Sequence, residues 1–244
     1  MKTSDPGETL REFIKRIMNY ELLSPKDLNI YSPVQAKRSS GIKICGMKDP
    51  ENIKALAELP VDMIGLIFYE KSPRCVDDCD AEKINALSLT IPKVGVFVDA
   101  SLEFILEKKG KFQLQLVQLH GKESPEFCLE LRKENIQVIK SFQIKTVEDF
   151  KTCQLYEDCC DYFLFDTPTP EYGGSGNKFD WELLSAYTGK TPFFLSGGIA
   201  PEDAKIIKQL NFPQLFAVDI NSRFEKAPGI KDIDILQQFL IDMK

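Results

Sequence analysis

The sequence is poor in the residues that build metal and disulfide sites. It has one histidine, His120, in 244 residues, which excludes a metal site made of several histidines. Its seven cysteines are Cys45, Cys75, Cys79, Cys128, Cys153, Cys159 and Cys160, odd in number, irregularly spaced and without a CxxC pair. That pattern suggests neither a disulfide framework nor a zinc ribbon, and no metal or other cofactor is expected. There is no block of Lys and Arg; 31 basic residues stand against 37 acidic ones, a net charge of −6. Nucleic acid and anionic membrane surfaces are therefore poor partners, although a small phosphorylated substrate needs only one local cradle. No apolar run approaches the ~18 residues of a membrane span. The opening residues MKTSDPGETLREFIKR lack the apolar centre of a signal peptide. A cytoplasmic, reducing location is what these absences predict.

What is present is ordinary for a globular chain: 43% hydrophobic and 28% charged residues, enough for one or two domains. Eight short apolar, β-branched or aromatic runs recur from residue 41 onward. They are GIKICGM, MIGLIFY, KVGVFVD, LVQLHG, QVIKSFQI, YFLFDT, PFFLSGG and LFAVDI, spaced by roughly 25 residues, the length of a βα unit. Helix-like segments lie between them. Asp49-Pro50 and Ser124-Pro125 each set a capping side chain before a proline at the first turn, and 201–210 and 231–243 continue the series. Eight strand–helix repeats predict an α/β fold, a (β/α)₈ TIM barrel over 41–244.

Alternation within the strands predicts which side chains face inward: Lys43 and Cys45, then Gly95, Phe97 and Asp99, then Leu164 and Asp166, then Ala217 and Asp219. Phe216 and Val94 are expected outward with their neighbours. Residues 1–40 lie outside the repeats. Leu10, Phe13, Ile14, Ile17 and Met18 recur at helical spacing, so 7–22 reads as an amphipathic helix and the rest as linker. This helical extension either packs on the barrel or docks another protein.

The C-terminal ends of barrel strands carry the chemistry of this fold, and the candidates fall there. YGGSG, with Gly173, Gly174, Ser175 and Gly176, follows the sixth run, and Gly197 and Gly198 follow the seventh. Glycines let backbone N–H groups approach an anion, so paired loops beside Asn221 and Ser222 predict a phosphate site. Cys45 ends the first strand, where a thiolate can serve as a base, whereas Cys128 and Cys153 read as core residues. Cys75, Cys79, Cys159 and Cys160 read as surface or loop residues. Asp166 ends the sixth strand, either as a general acid or as a cap for the next loop. Arg74, after the second strand, suits a substrate carboxylate or is a solvated or structural arginine. Asp219 reads as an orienting group or a structural acceptor, and His120 as a site wall or core histidine in a supporting role.

Taken together, KICGMKDPENI, GLIFYEKSPRCV, VGVFVDAS, VQLHGKESPEFC, LFDTPTPEYGGSGNKFDW, LSGGIAPEDA and FAVDINSRFEKAPGIKD resemble the phosphoribosylanthranilate isomerase family. The resemblance runs over roughly 41–244 and does not cover the first 40 residues. It implies an Amadori rearrangement, in tryptophan biosynthesis, of N-(5-phosphoribosyl)anthranilate to 1-(2-carboxyphenylamino)-1-deoxyribulose 5-phosphate. It further implies Cys45 as the general base at C2′, Asp166 as the acid that opens the furanose ring, and Arg74 on the anthranilate carboxylate. The glycine-rich loops would hold the 5′-phosphate. The chain departs from the family's usual SSG after the eighth strand with Asn221-Ser222-Arg223, where backbone N–H groups and Ser222 would still hold phosphate and Arg223 would either add charge or face solvent.

Other phosphosugar barrels fit less well. The histidine-pathway isomerase uses an aspartate where Cys45 stands. Indole-glycerol-phosphate synthase needs a lysine acid, and Lys43 and Lys140 are expected on the inner face but lower in the barrel. Metal-dependent epimerases need histidines that this chain lacks. A noncatalytic scaffold has no use for an acid, a base and a carboxylate-binding arginine together.

Overall fold

The helix starts written into the sequence form as expected. In the computed structural model, which describes residues 40–167 and 181–244, α1 (Pro50–Ala57) begins where the Asp49 carboxylate accepts from Asn52 N at 2.7 Å. Ser101 caps α3 (Leu102–Phe112) and Ser124 caps α4 (Pro125–Lys133) in the same way. Each cap satisfies an otherwise orphaned N–H and stabilises its helix by about 1 kcal/mol. The other helices are α2 (Ala81–Ala86), α5 (Phe150–Cys153), α6 (Ala204–Gln209) and α7 (Ile233–Asp242). After the sixth strand the described residues hold a 3₁₀ segment, Trp181–Ala186. The expected helix over 7–22, its linker and the YGGSG loop (Gly173, Gly174, Ser175, Gly176) lie outside the described residues.

The strands are β1 (Gly41–Ile44), β2 (Met63–Ile67), β3 (Lys93–Phe97), β4 (Leu116–Leu119), β5 (Gln137–Gln143), β6 (Tyr162–Asp166), β7 (Phe193–Leu195) and β8 (Leu215–Ile220). All pair in parallel, and β8 returns to β1 to close the barrel. Closure leaves no sheet edge, and every strand is buried on both faces, which is why their sequences are almost continuously apolar. A short antiparallel pair, β9 (Glu225–Ala227) and β10 (Ile230–Lys231), follows β8.

Register decides the two faces. Lys43, Gln118 and Asp219 meet inside the barrel, so their ladder partners face inward too. Gln118 is level with Val96 and Ile139, and Leu164 with Ser141 and Phe194. Lys43, Cys45, Leu164, Asp166, Ala217 and Asp219 point inward as expected. β3 is the reverse of expectation: Val94 and Val96 face in, while Gly95 and Phe97 face out. Phe97 stacks on Phe68 with centroids 5.2 Å apart and meets Phe104 of α3 edge-on. Gly95 is covered by Leu114 and leaves no room for a Cβ, which would lie 2.4 Å from Leu114 Cδ1. In a run apolar on both faces, alternation cannot fix the phase.

Four further expectations are corrected. A register shift between β7 and β8 turns Phe216 onto the inner-face rings of Tyr162 and Phe194, not toward the helices. Lys140 is level with outward-facing Leu119 and Phe163 and pairs with Glu123 at 3.0 Å outside the barrel wall, so it never enters the interior. Cys159 and Cys160 precede β6 in a connection but are buried, and Asp99 sits at φ +49° beyond β3, accepting from Lys122 N as a brace between loops. The aromatic layer of Phe163, Phe165, Phe193, Phe150 and Tyr187 packs the outer face behind Asp166 and fixes that end of β6.

Candidate active site

The site is built on a buried ammonium. Lys43 Nζ, fully buried, donates to Asp219 Oδ1 at 2.8 Å and to Gln118 Oε1 at 2.9 Å. The Cys45 thiol lies beside this ammonium and feels its charge. Burial alone would lower the Lys43 pKa, but the charge of Asp219 and its hydrogen bond outweigh this and hold the ammonium firmly charged. Burial pushes the Cys45 thiol above its ordinary value, and the ammonium groups of Lys43 and Lys231 pull against that shift. Gly65 of β2 makes the space: a Cβ there would lie 2.9 Å from Cys45 Sγ, 3.1 Å from its Cα and 3.3 Å from Lys43 Nζ.

The same ammonium orients a chain of polar groups toward Asp166. Lysine only donates, so Gln118 must turn Oε1 to it and its amide Nε2 to His120 Nδ1, 3.1 Å away. Ser141 Oγ lies 2.9 Å from the same ring nitrogen. His120 Nδ1 is thus an acceptor, and the ring proton sits on Nε2, which faces Asp166 Oδ2 at 3.7 Å. Burial, with the nearby Lys140 and Lys43 charges, pushes the imidazole down to about 4, so His120 is neutral at pH 7. With no imidazolium opposite it, Asp166 is raised to about 6 by burial, against a hydrogen bond from Thr167 N at 2.8 Å.

A second charged cluster stands beside Cys45. Glu225 accepts from Arg74 Nε at 3.0 and 3.1 Å and from Nη2 at 2.7 Å. It also accepts from Lys231 Nζ at 2.7 Å. Lys231 donates in turn to Asn221 Oδ1 at 2.7 Å. Gly46, next to Cys45, has φ +75°, and a Cβ there would lie 2.7 Å from Asn221 Oδ1 and 2.8 Å from Arg74 Cδ, so this cluster and the thiol share one rim. Arg74 is therefore neither free nor solvated, and Asn221 spends its side-chain oxygen on Lys231. Ser222 opens a 3₁₀ turn, Ser222–Phe224, just after it. Gly197 and Gly198, at φ +93° and +63°, turn the β7 loop past β6, where a Cβ on Gly197 would sit 2.3 Å from Thr167 Oγ1 and 3.2 Å from Asp166 Oδ1.

Of the residues expected from sequence, Cys45, Asp166, His120, Asp219, Arg74, Asn221, Gly197 and Gly198 all lie at the carboxyl ends of the strands. Sequence reasoning missed Gln118, Ser141, Glu225 and Lys231. The last two had a signal: opposite charges flank the Pro228-Gly229 turn, and Gly229, at φ +84°, donates its N–H back to Glu225. The arrangement offers a carboxyl that keeps its proton close to neutral pH, a thiol beside fixed cations, and a guanidinium at the rim.

Comparison with known proteins identifies the family. Residues 42–241 match the family model described as N-(5′-phosphoribosyl)anthranilate (PRA) isomerase. An N-(5′-phosphoribosyl)anthranilate isomerase from Parabacteroides distasonis is 49% identical over 201 residues, covering 82% of this chain and 91% of that protein. The protein of the same name from Thermotoga maritima is 38% identical, over 83% of this chain and 98% of that one. The crystal structure of the Thermotoga maritima phosphoribosyl anthranilate isomerase superposes with a TM-score of 0.73 at 36% identity, covering 84% and 98% of the two chains. A phosphoribosyl anthranilate isomerase solved with reduced 1-(o-carboxyphenylamino)-1-deoxyribulose 5-phosphate has a TM-score of 0.72 at 33% identity, over 84% and 98%. A matched barrel, with a cysteine, an aspartate and an arginine at the strand ends where the motifs predicted them, leads to one conclusion: the chain belongs to the N-(5′-phosphoribosyl)anthranilate isomerase family.

Proposed function

We propose that this isomerase converts N-(5-phosphoribosyl)anthranilate into 1-(2-carboxyphenylamino)-1-deoxyribulose 5-phosphate, with Asp166 as general acid and Cys45 as general base. The observation that carries the reading is the pairing of an inward carboxyl raised to about 6 with a thiol beside a buried ammonium on the same rim. β1 and β6 are three positions apart round the closed barrel, so the two groups approach a sugar lying across the mouth from different sides.

Protonated Asp166 gives its proton to the furanose ring oxygen as the C1′–O bond breaks, and the anilino nitrogen's lone pair forms the C1′=N bond. The Cys45 thiolate then removes the C2′ proton, and the electrons flow toward nitrogen to give an enolamine. Return of a proton to C1′ and loss of the C2′ hydroxyl proton complete the aminoketose. No electron acceptor or metal is needed for this balance. Lys43 stabilises the thiolate and Asp219 keeps Lys43 charged, while neutral His120 leaves Asp166 free to hold its proton. The substrate is a small phosphorylated aminosugar, the class represented by the product analogue in the solved relative. Its phosphate is assigned to Gly197, Gly198, Ser222 and the backbone at Asn221, together with the loop of Gly173, Gly174, Ser175 and Gly176, which lies outside the described residues.

The test is conversion of freshly generated phosphoribosylanthranilate, followed by loss of its fluorescence. The intact chain should turn it over, and Cys45→Ser and Asp166→Asn should each lose roughly two to four orders of magnitude in kcat. A folded chain without turnover, or variants that retain full rate, would refute the assignment.

A further inference from the structure

Arg74 and Glu225 form an asymmetric pair. A guanidinium offers two paired edges to carboxylates, one through Nε and Nη2 and one through Nη1 and Nη2. Glu225 occupies the first, with contacts of 2.7, 3.0 and 3.1 Å. Among the described residues Nη1 has no hydrogen bond, so the second edge is unused although the Arg74 side chain is only 12% exposed. Glu225 is itself immobilised, 5% exposed, by Lys231 Nζ at 2.7 Å and Gly229 N at 3.1 Å. Lys231 is fully buried on Asn221. Arg74 and Lys231 carry two positive charges against the single negative charge of Glu225, which leaves one unbalanced positive charge beside Cys45. One more carboxylate would neutralise the cluster.

We propose that Glu225 is a positioning residue: it holds Arg74 by one edge so that the other faces the mouth and receives the carboxylate of the anthranilate ring. This deepens the isomerase reading and rests on it. Lys231 is what allows two carboxylates to share one guanidinium, because its charge offsets the second. The opposite arrangement, in which Glu225 occupies the place of the substrate carboxylate and competes with it, would need Glu225 to span both edges or to reach Nη1. It does neither.

The test uses two ligands, the reduced product analogue and the same compound with hydrogen in place of the ring carboxyl, titrated by calorimetry. The intact chain should prefer the carboxylated ligand. Glu225→Gln, which keeps the shape and removes the charge, should cut that preference by about tenfold, with binding of the carboxyl-free ligand changed less than about twofold. In an Arg74→Met background, adding Glu225→Gln should cause no further loss of preference. An unchanged preference in Glu225→Gln, or a higher one as competition requires, would overturn the proposal while leaving the isomerase reading intact. An intact chain that binds neither ligand would overturn both. Should Glu225→Gln fail to fold because Lys231 loses its counter-charge, Glu225→Asp decides. It keeps the charge but draws the carboxylate back by one methylene, and the preference must still fall; if it does not, the proposal is wrong.

Discussion

Replacing Asp166 by asparagine should make the protein more stable at neutral pH while removing its activity. The Asp166 carboxyl lies among buried groups, 19% exposed, and its environment moves it from 3.8 to about 6. A shift of that size costs the folded state about 3 kcal/mol whenever the group is ionised, at ~1.4 kcal/mol for each tenfold change in acidity. The sign follows from linkage. The folded state holds its proton more tightly than the unfolded chain, so stability is undiminished below pH 3.8, falls as pH rises toward about 6, and is lower by the full amount above that. Asparagine keeps an oxygen to accept from Thr167 N and carries no charge at any pH. Thermal or urea unfolding at pH 7.5 should show Asp166→Asn more stable by about 3 kcal/mol, or roughly 6–12 °C for a chain of this size. At pH 4.5 the advantage should shrink to about 1 kcal/mol. A variant no more stable than the parent at pH 7.5, or an advantage that persists undiminished at pH 4.5, would show that burial does not raise this carboxyl.

Two further substitutions probe the other side of the site. Gly65→Ala places a methyl 2.9 Å from Cys45 Sγ and 3.1 Å from its Cα; it should lower kcat by at least about tenfold and cost about 1–3 kcal/mol of stability, read by turnover and urea denaturation. Lys43→Met strands the Asp219 carboxylate inside the barrel and should destabilise the fold by about 3–5 kcal/mol, whereas Lys43→Met with Asp219→Asn should recover most of that loss. In the double variant, alkylation of Cys45 by iodoacetamide should shift to higher pH than in the parent, because the thiolate has lost its adjacent cation.

The isomerase reading needs few residues in contact with substrate and many that set their state. In the proposed mechanism Cys45 would be a poor base in a dry pocket without Lys43, whose charge Asp219 supports. An imidazolium at His120, 3.7 Å from Asp166, would pull the carboxyl back toward its ordinary value, so the proposed acid role of Asp166 depends on the ring staying neutral. The polar interior of the barrel is one connected set, from Asp219 through Lys43 and Gln118 to His120 and Ser141. Within it Asp219 supports the charge on Lys43, and burial with the nearby ammonium charges keeps His120 neutral.

The sequence by itself determined the eight-fold βα repeat, the caps at Asp49 and Ser124, and the placement of Cys45, Asp166, His120 and Asp219 at strand ends. These are local properties: apolar runs, a capping oxygen before a helix, a polar residue ending a strand. Tertiary structure alone decided the phase of β3, where both faces are buried and alternation carries no information, and the outward turn of Lys140 toward Glu123. It also decided the inward turn of Phe216 at a register shift that no local pattern encodes. The pairing of Arg74 with Glu225, 151 residues apart, and of Lys43 with Asp219, 176 residues apart, depends on barrel closure. Closure brings the first strand beside the last, and only then does a buried lysine acquire the carboxylate that keeps it charged.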